Sequence, residues 1–365
     1  MTAIAEPRLI PASQAEQRDA PAVGLIHVVI PARNEQDGIL DAMRSVEAQT
    51  VQPYRRIVIS DNSTDATVEL ARSRPGWEVW ETVGNTGRKG GALNQAWDRL
   101  DPTLDDGDFL VTMDADTILD PRFLEMAREK FRTGGESLGG VCANFTGLPL
   151  PTALGVLQKM EYARAEQINR SRRGFAPILA GAATMFSVGA LRAVHRSRGR
   201  LYEPVLTEDY ELTLALRAHG YETLAPRACR AQTELMPTVR QLWAQRLRWY
   251  RGAFECLRTY RRQPRVRSDM AWLAFSLWAA STRWLFIGAI AYTVLTIGHV
   301  TFSPWLLLLF ALAAAIRAVQ VRSLGWKYML AAALLVEELY YAIFLETVLW
   351  RAFYLAAAEK GGAKW

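Results

Sequence analysis

Phe109-Leu-Val-Thr-Met-Asp-Ala-Asp116 decides the fold: an apolar run of strand type passes directly into two carboxylates one residue apart. Working outward from it, the chain repeats this kind of transition. Residues 24–30 form an apolar run that ends at Pro31, where proline removes a donor and stops a strand. Residues 56–59 predict a second short strand and residues 77–80 a third, which makes 109–113 the fourth. Helical spacing lies between them. Residues 34–48 place Ile39, Met43 and Val46 on one face, and a helix through Val68 and Leu70 can be capped by Ser63 or Thr64. Residues 90–100 predict a further helix, and Pro121 opens another over 123–132. Strands alternating with helices predict an α/β fold with a mostly parallel, doubly wound sheet. Ligands of such sheets sit at the carboxyl ends of the strands. Arg33-Asn-Glu35, Asp61-Asn-Ser63 and Asp114-Ala-Asp116 all fall there, and no internal repeat is visible.

The 365 residues have room for one large catalytic domain, or one domain plus an appendage. Apolar and charged stretches alternate up to about residue 260, and from Met270 onward the chain is rich in Leu, Ala, Ile, Phe and Trp. The net charge is +6, and Arg246, Arg248, Arg251, Arg258, Arg261, Arg262 and Arg265 gather just before the hydrophobic region. A basic cluster abutting a hydrophobic span suits the anionic cytoplasmic leaflet, so lipid rather than nucleic acid is the expected partner. Cys142, Cys229 and Cys256 form no CxxC pair and His is sparse, which argues against a zinc site or a disulfide framework and fits a reducing cytosolic face. No apolar signal segment opens the chain; residues 1–22, with Pro7, Pro11 and Pro21, read as a flexible arm.

Residues 272–297 are long enough to cross a bilayer core of about 30 Å, although Arg283 interrupts them. Residues 302–316, extendable to Val321, are a second candidate span, and 328–357 a third. The third carries Glu337, Glu338 and Glu346, which are costly in lipid. That helix is therefore interfacial, packed in a homo-oligomer, or pairs its acids with Arg283, Arg317 or Arg351. The loop 317–327 holds Arg317, Arg322 and Lys327, while 299–304 holds no Lys or Arg. The positive-inside rule then puts the catalytic domain and this loop in the cytoplasm, on a multi-pass inner-membrane anchor. The competing reading is the buried helical hairpin of a soluble protein.

Several residues carry chemistry. Asp114 and Asp116, on a loop leaving a strand, can hold a hard divalent cation while a diphosphate fills its remaining positions. Asp61 can accept from a base N–H or a ribose hydroxyl, or else cap a helix, as Asp65 or Ser63 also can. Gly87-Arg-Lys-Gly-Gly-Ala-Leu-Asn94 is a glycine-rich basic turn entering a helix; Arg88 and Lys89 suit a phosphate there, without P-loop spacing. Thr207-Glu-Asp209 opens an amphipathic helix. Its acids can deprotonate an acceptor hydroxyl, or simply occupy a first turn capped by Thr207. Gln245-Arg-Leu-Arg248-Trp249 offers an amide, a guanidinium fork for a diphosphate and an indole for a sugar face; snorkelling Arg and anchoring Trp on an interfacial helix explain it equally.

Taken in order, Ile30-Pro-Ala-Arg-Asn-Glu35, Asp61-Asn-Ser-Thr-Asp65, Lys89-Gly-Gly-Ala-Leu-Asn94, Asp114-Ala-Asp116, Thr207-Glu-Asp209 and Gln245-x-x-Arg248-Trp249 resemble the inverting family 2 glycosyltransferases of the GT-A fold. The branch most similar includes the membrane-embedded cellulose, chitin and hyaluronan synthases, and the resemblance covers about residues 25–260. It implies a nucleotide-sugar donor, a UDP-sugar foremost, a glycan, lipid or protein acceptor, and Mn2+ or Mg2+. It further implies that Pro31, Ala32, Glu35, Asp61, Arg88, Lys89 and Asp114 serve the donor, with Asp116 the more direct metal ligand beside Asp114. Asp209, next to Glu208, would be the base. Gly181, Gln245, Arg248 and Trp249 would line the acceptor and diphosphate end. The implied organisation is a flexible arm (1–22), a GT-A catalytic domain (23–236), an amphipathic interfacial region (237–268) and a transmembrane region of two or three spans (269–365). The chain departs from the pattern at Ser60, where an acid is usual, in showing no helix before the catalytic domain, and in having few spans. Single transfer or short elongation is thus as consistent as processive synthesis. Two alternatives stay open: a polyprenyl-phosphate glycosyltransferase, and a catalytically silent nucleotide-binding membrane scaffold.

Overall fold

A computed structural model describes residues 24–299 and 303–358, apart from the side chains of residues 336–338; the arm expected over 1–22 lies outside them. The first half alternates as expected: β1 (Ile26–Ala32), α1 (Ile39–Glu47), β2 (Arg55–Ser60), α2 (Thr67–Arg72), β3 (Glu78–Glu81), α3 (Arg88–Leu100) and β4 (Phe109–Met113). Next come β5 (Thr117–Leu119), α4 (Phe123–Gly134), β6 (Leu138–Cys142), β7 (Asn144–Gly147), α5 (Ala153–Ser171), β8 (Ala183–Ser187), α6 (Val188–Arg198), α7 (Glu208–Ala218), β9 (Glu222–Leu224) and β10 (Arg230–Thr233). The main sheet has the order β3-β2-β1-β4-β8-β6-β9, parallel except where β8 runs against β4 and β6. Beside it a small sheet, β5-β10-β7, pairs Thr117 with Thr233 and Asn144 with Arg230.

β1 lies between β2 and β4 and is buried along its whole length, which is why it reads as an unbroken apolar run and not an alternating one. Its side chains still alternate between two cores. Val28 and Ile30 join Ile39, Met43, Val46, Phe123 and Leu124 on one face, while Val29 joins Ile57, Ile59, Trp97, Leu100 and Phe186 on the other. The strand does not stop at Pro31. It continues to Ala32 against β2, because pairing with β4 ends earlier, at Val29 with Thr112, and the missing N–H costs no bond on that side.

Helix starts differ from expectation in two places. α1 begins at Ile39 and not near Asn34, whose φ of 57° is left-handed and belongs to a turn. α2 is not capped by Ser63 or Thr64. Asp65 Oδ1 accepts from Thr67 N (3.0 Å), while Ser63 Oγ is taken by Asn34 N (3.2 Å).

The C-terminal part consists of α8 (Val239–Tyr260), α9 (Arg267–Ile297), α10 (Pro304–Gln320), α11 (Trp326–Ala333) and α12 (Val336–Ala358). The expected third apolar helix is therefore two helices, broken where Leu335 takes a φ of 58°. Pro264–Ile297 and Leu339–Ala358 are long and apolar enough to cross a bilayer, and Pro304–Gln320 is a shorter apolar helix. These helices are not the buried hairpin of a soluble core: Leu285 is 73% exposed, Leu295 85% and Trp305 76%. Arg283 of α9 pairs with Glu346 of α12 at 2.9 Å, as one of the expected arrangements requires. The side chains of Glu337 and Glu338 lie outside the described ones.

Candidate active site

The ends of β1, β2 and β4 open onto one cleft. Asp61, one residue past β2, is 4% exposed and does not cap a helix. Its N–H donates to Ala32 O (2.8 Å), so the buried Pro31 and Ala32 set its position through the backbone. Asp61 Oδ1 accepts from Asn85 Nδ2 (2.7 Å), Asn62 Nδ2 (2.9 Å) and Thr82 Oγ1 (3.1 Å). All three donors converge on one oxygen, which orients the carboxylate and turns Oδ2 toward other partners. Asn85 is held in turn: Oδ1 accepts from Gly87 N (2.9 Å) and Nδ2 donates to Arg88 O (2.8 Å). A Cβ at Gly91 would come within 2.0 Å of Asn85 Oδ1, so glycine there preserves the brace under Asp61. Sequence reasoning missed Thr82 and Asn85; the only signal was an amide two residues before the glycine-rich turn. Asn34, Asn62 and Arg88, at φ 57°, 55° and 54°, place left-handed backbone around the same cleft, a concentration typical of functional sites.

Lys89, in the first turn of α3, is partly buried and forms ion pairs with Asp114 at the end of β4 and with Glu208 (3.5 Å) at the start of α7. Burial alone would lower its pKa, but Asp114, Glu208 and Asp209 together raise it above its ordinary value, so it is a fixed cation. Gly181, just before β8, leaves room for the end of Lys89: a Cβ would meet Nζ at 2.6 Å, so the ammonium would have to shift. Its N–H donates to Asp209 Oδ2 (3.0 Å), while Asp209 Oδ1 accepts from Tyr210 N (2.7 Å). Burial raises the pKa of Glu208, with Asp209 adding to the shift and Lys89 opposing it. Thr207 stands just before α7 but its side chain makes no cap; its hydroxyl lies 3.6 Å from Cys256 Sγ on α8. The acids at the start of α7 are thus held by a loop and a lysine, and not by an ordinary helix cap.

Asp116 accepts from Thr117 Oγ1 (3.2 Å). Its pKa is raised to about 6, chiefly by burial and then by Asp114. Glu35, three residues past β1, is pushed to about 7 by burial and then by Asp116, Asp114 and Glu234. Four acids therefore crowd one end of the cleft. Glu234 was not foreseen, because it reaches the cleft through β10, whose pairing with β5 no local pattern reveals.

Arg88 and Arg248 are exposed. Arg246 and Arg251, expected on the membrane surface with the rest of the basic cluster, are instead 1% and 8% exposed. They pair with Glu161 (2.8 Å) and Glu255 (2.9 Å), since a buried guanidinium needs an anion. Arg246 accounts for two of the predicted acceptor-end residues. It donates to Gln245 Oε1 and lies 4.3 Å over the Trp249 ring. Tyr162 of α5 hydrogen-bonds Arg246; its pKa is raised by burial above all and, more weakly, by Asp116, so this cluster lies within electrostatic reach of the acidic end.

The model of the glycosyltransferase-like family 2 matches residues 21–252, which includes every residue of the cleft. The chain belongs to glycosyltransferase family 2. The transferase is 29% identical over 238 residues to a poly-beta-1,6-N-acetyl-D-glucosamine synthase of Staphylococcus aureus, and 28% identical over 240 residues to that of Staphylococcus epidermidis. Each match covers 64% of this chain and 55% of the relative, so the chain spans about half the length of the curated relatives it matches. In architecture the transferase resembles the mannosyltransferase PcManGT from Pyrobaculum calidifontis, solved in complex with GDP-Man and Mn2+. The TM-score is 0.59 at 17% identity, over 96% of this chain and 94% of that one, and it establishes the GT-A fold.

Proposed function

We propose that the transferase moves a sugar from a nucleotide-sugar to an acceptor hydroxyl by a single inverting displacement, at the cytoplasmic face of the membrane that α9 and α12 cross. The observation that carries this reading is the convergence of Asp61 after β2, Lys89 of α3, Asp114 and Asp116 between β4 and β5, and Asp209 of α7 on one cleft. The chain then divides into a catalytic domain over 23–236, an amphipathic region over 237–268 and a membrane region beyond it. Asp61 takes the base or ribose, with Glu35 near the nucleoside and Arg88 and Lys89 near the phosphates. A UDP-sugar is the first donor to try, and UDP-N-acetylglucosamine the first among them, given what the staphylococcal relatives make. Acceptors to test are glycans, lipids and proteins, with Gln245, Arg248 and Trp249 lining that end.

Asp116 suits a divalent cation. Among the described residues it takes one hydrogen bond, from Thr117, and burial with like charges disfavours its ionised form until a cation arrives. Among the described residues no group of three or more His, Cys, Asp or Glu forms a metal cage. A Mn2+ or Mg2+ ion would therefore take the rest of its ligands from the diphosphate, and it would neutralise charge on the departing nucleoside diphosphate. Asp209 keeps a lone pair on each oxygen beyond its two backbone bonds. It accepts the acceptor's proton as the acceptor oxygen bonds to the anomeric carbon and the bond to the diphosphate breaks. Lys89 stays charged and faces the phosphates throughout.

Nucleotide-sugars screened with detergent-solubilised protein test this reading. Mn2+- or Mg2+-dependent release of nucleoside diphosphate from at least one donor is expected. Binding without any turnover, across donors and acceptors, would favour a silent scaffold.

A further inference from the structure

Arg246 is the second residue of Gln245-Arg-Leu-Arg-Trp249, and besides Tyr162 its guanidinium engages three residues at once. Nε and Nη2 donate to the two oxygens of Glu161 on α5 (3.2 and 2.8 Å), Nη1 donates to Gln245, and the plane covers Trp249. The Glu161 oxygen that takes Nη2 also accepts the hydroxyl of Tyr341 from α12 (2.6 Å). A bidentate, buried guanidinium has little rotational freedom, so whatever it touches inherits its orientation. α12 is seated along α8 by Trp243 against Phe344 (5.8 Å between ring centroids) and Phe254 against Phe353 (5.4 Å). The donor residues Asp61, Lys89 and Asp114 stand on other elements and share no hydrogen bond with this network among the described residues, and Asp116 meets it only through the field at Tyr162.

We propose that Arg246 and Glu161 are positioning residues that aim Gln245 and Trp249, and that Tyr341 makes this aim depend on the docking of the membrane-side helix α12. This rests on the acceptor-end role proposed above for Gln245 and Trp249. Acceptor use by the transferase then senses the state of its membrane region, while donor binding does not.

Full-length, detergent-solubilised Glu161→Ala, Glu161→Gln, Arg246→Met and Tyr341→Phe variants test this. Each is read by acceptor KM, donor Kd and hydrogen exchange over residues 245–249. Misaiming by about 1 Å should cost about 10–100-fold in acceptor kcat/KM for Glu161→Ala and Arg246→Met. Donor Kd should stay within about twofold, and exchange at 245–249 should quicken while β1 and β4 keep their protection. Glu161→Gln, which keeps the shape, should be milder than Glu161→Ala, and Tyr341→Phe, the variant least able to disturb folding, should shift acceptor KM in the same direction. Donor and acceptor constants moving together in every variant would overturn the proposal. So would folded Tyr341→Phe and Glu161→Gln proteins with unaltered acceptor KM and exchange. If the wild-type chain turned over no donor, the proposed function would fail, and unchanged exchange at 245–249 would separately overturn the coupling.

Discussion

Replacing Asp209 by Asn separates chemistry from structure more cleanly than any other change in the cleft. The carboxylate accepts two backbone N–H groups, Gly181 N at 3.0 Å and Tyr210 N at 2.7 Å, one on each oxygen. The amide of Asn can accept only through its oxygen, so one of the two N–H groups faces an NH2 and loses its partner. An orphaned donor of this kind costs about 1–3 kcal/mol of stability. A folded domain with about 5–15 kcal/mol in hand survives that loss. The catalytic effect is larger: removing a general base costs about 10²–10⁴-fold, or roughly 3–5 kcal/mol of barrier. The assay is transfer of labelled sugar to acceptor, run beside calorimetric titration of the nucleotide. Transfer should fall by at least about a hundredfold with nucleotide Kd within about threefold, and the unfolding transition should drop by a few degrees. A folded Asp209→Asn protein that transferred at more than a tenth of the wild-type rate would refute the assignment of the base. Equal loss of donor binding and transfer would refute the separation of roles.

Three further outcomes follow from the charges. Asp116 and Glu35 have folded-state pKa values raised to about 6 and about 7 from ordinary values of 3.8 and 4.5. The fold therefore loses stability as pH rises through this window, and the metal-free protein should melt lower at pH 8 than at pH 5.5, with Mn2+ restoring the difference at pH 8 and doing little at pH 5.5; metal titration unchanged by Asp116→Ala would remove its role. Arg217 on α7 and Asp269 on α9, 6% and 7% exposed, form a bidentate pair at 2.9 and 2.8 Å. Asp269→Ala strands a buried guanidinium and should destabilise the domain by about 3–5 kcal/mol in denaturant titration, whereas a loss under about 1 kcal/mol would show that solvent reaches the pair.

Local pattern announced much of this architecture because its central strands are short, apolar and end in acids. β4 occupies the span that Phe109–Met113 suggests, and Ile39, Met43 and Val46 are all buried on the predicted face of α1. Features set by distant pairing stayed hidden. The sheet that brings Glu234 to the cleft joins residues near 117, 144 and 233, and nothing local in Thr117-Ile-Leu119 states its partner. Arg246 was misplaced for a related reason. Within a run of arginines beside a hydrophobic region it looks like a surface charge, and only the approach of α5 supplies the acid that allows its burial. The break at Leu335 escaped notice because leucine carries no turn signal. Asp61, Ser63, Thr64 and Asp65 are all cap types by residue alone, and only the turn after β1, which engages Ser63, leaves Asp65 to meet Thr67 N.

The central claim is that Asp61, Lys89 and the Asp114–Asp116 pair hold a nucleotide-sugar while Asp209 faces the acceptor. A crystal of the transferase soaked with a nucleoside diphosphate and Mn2+, read by the anomalous signal of the metal, tests it most directly. The signal should lie on the Asp116 carboxylate and bridge to the diphosphate, with the base or ribose against Asp61 and Lys89 toward the phosphates. A nucleotide bound away from Asp61, or a manganese peak touching neither Asp114 nor Asp116, would contradict it.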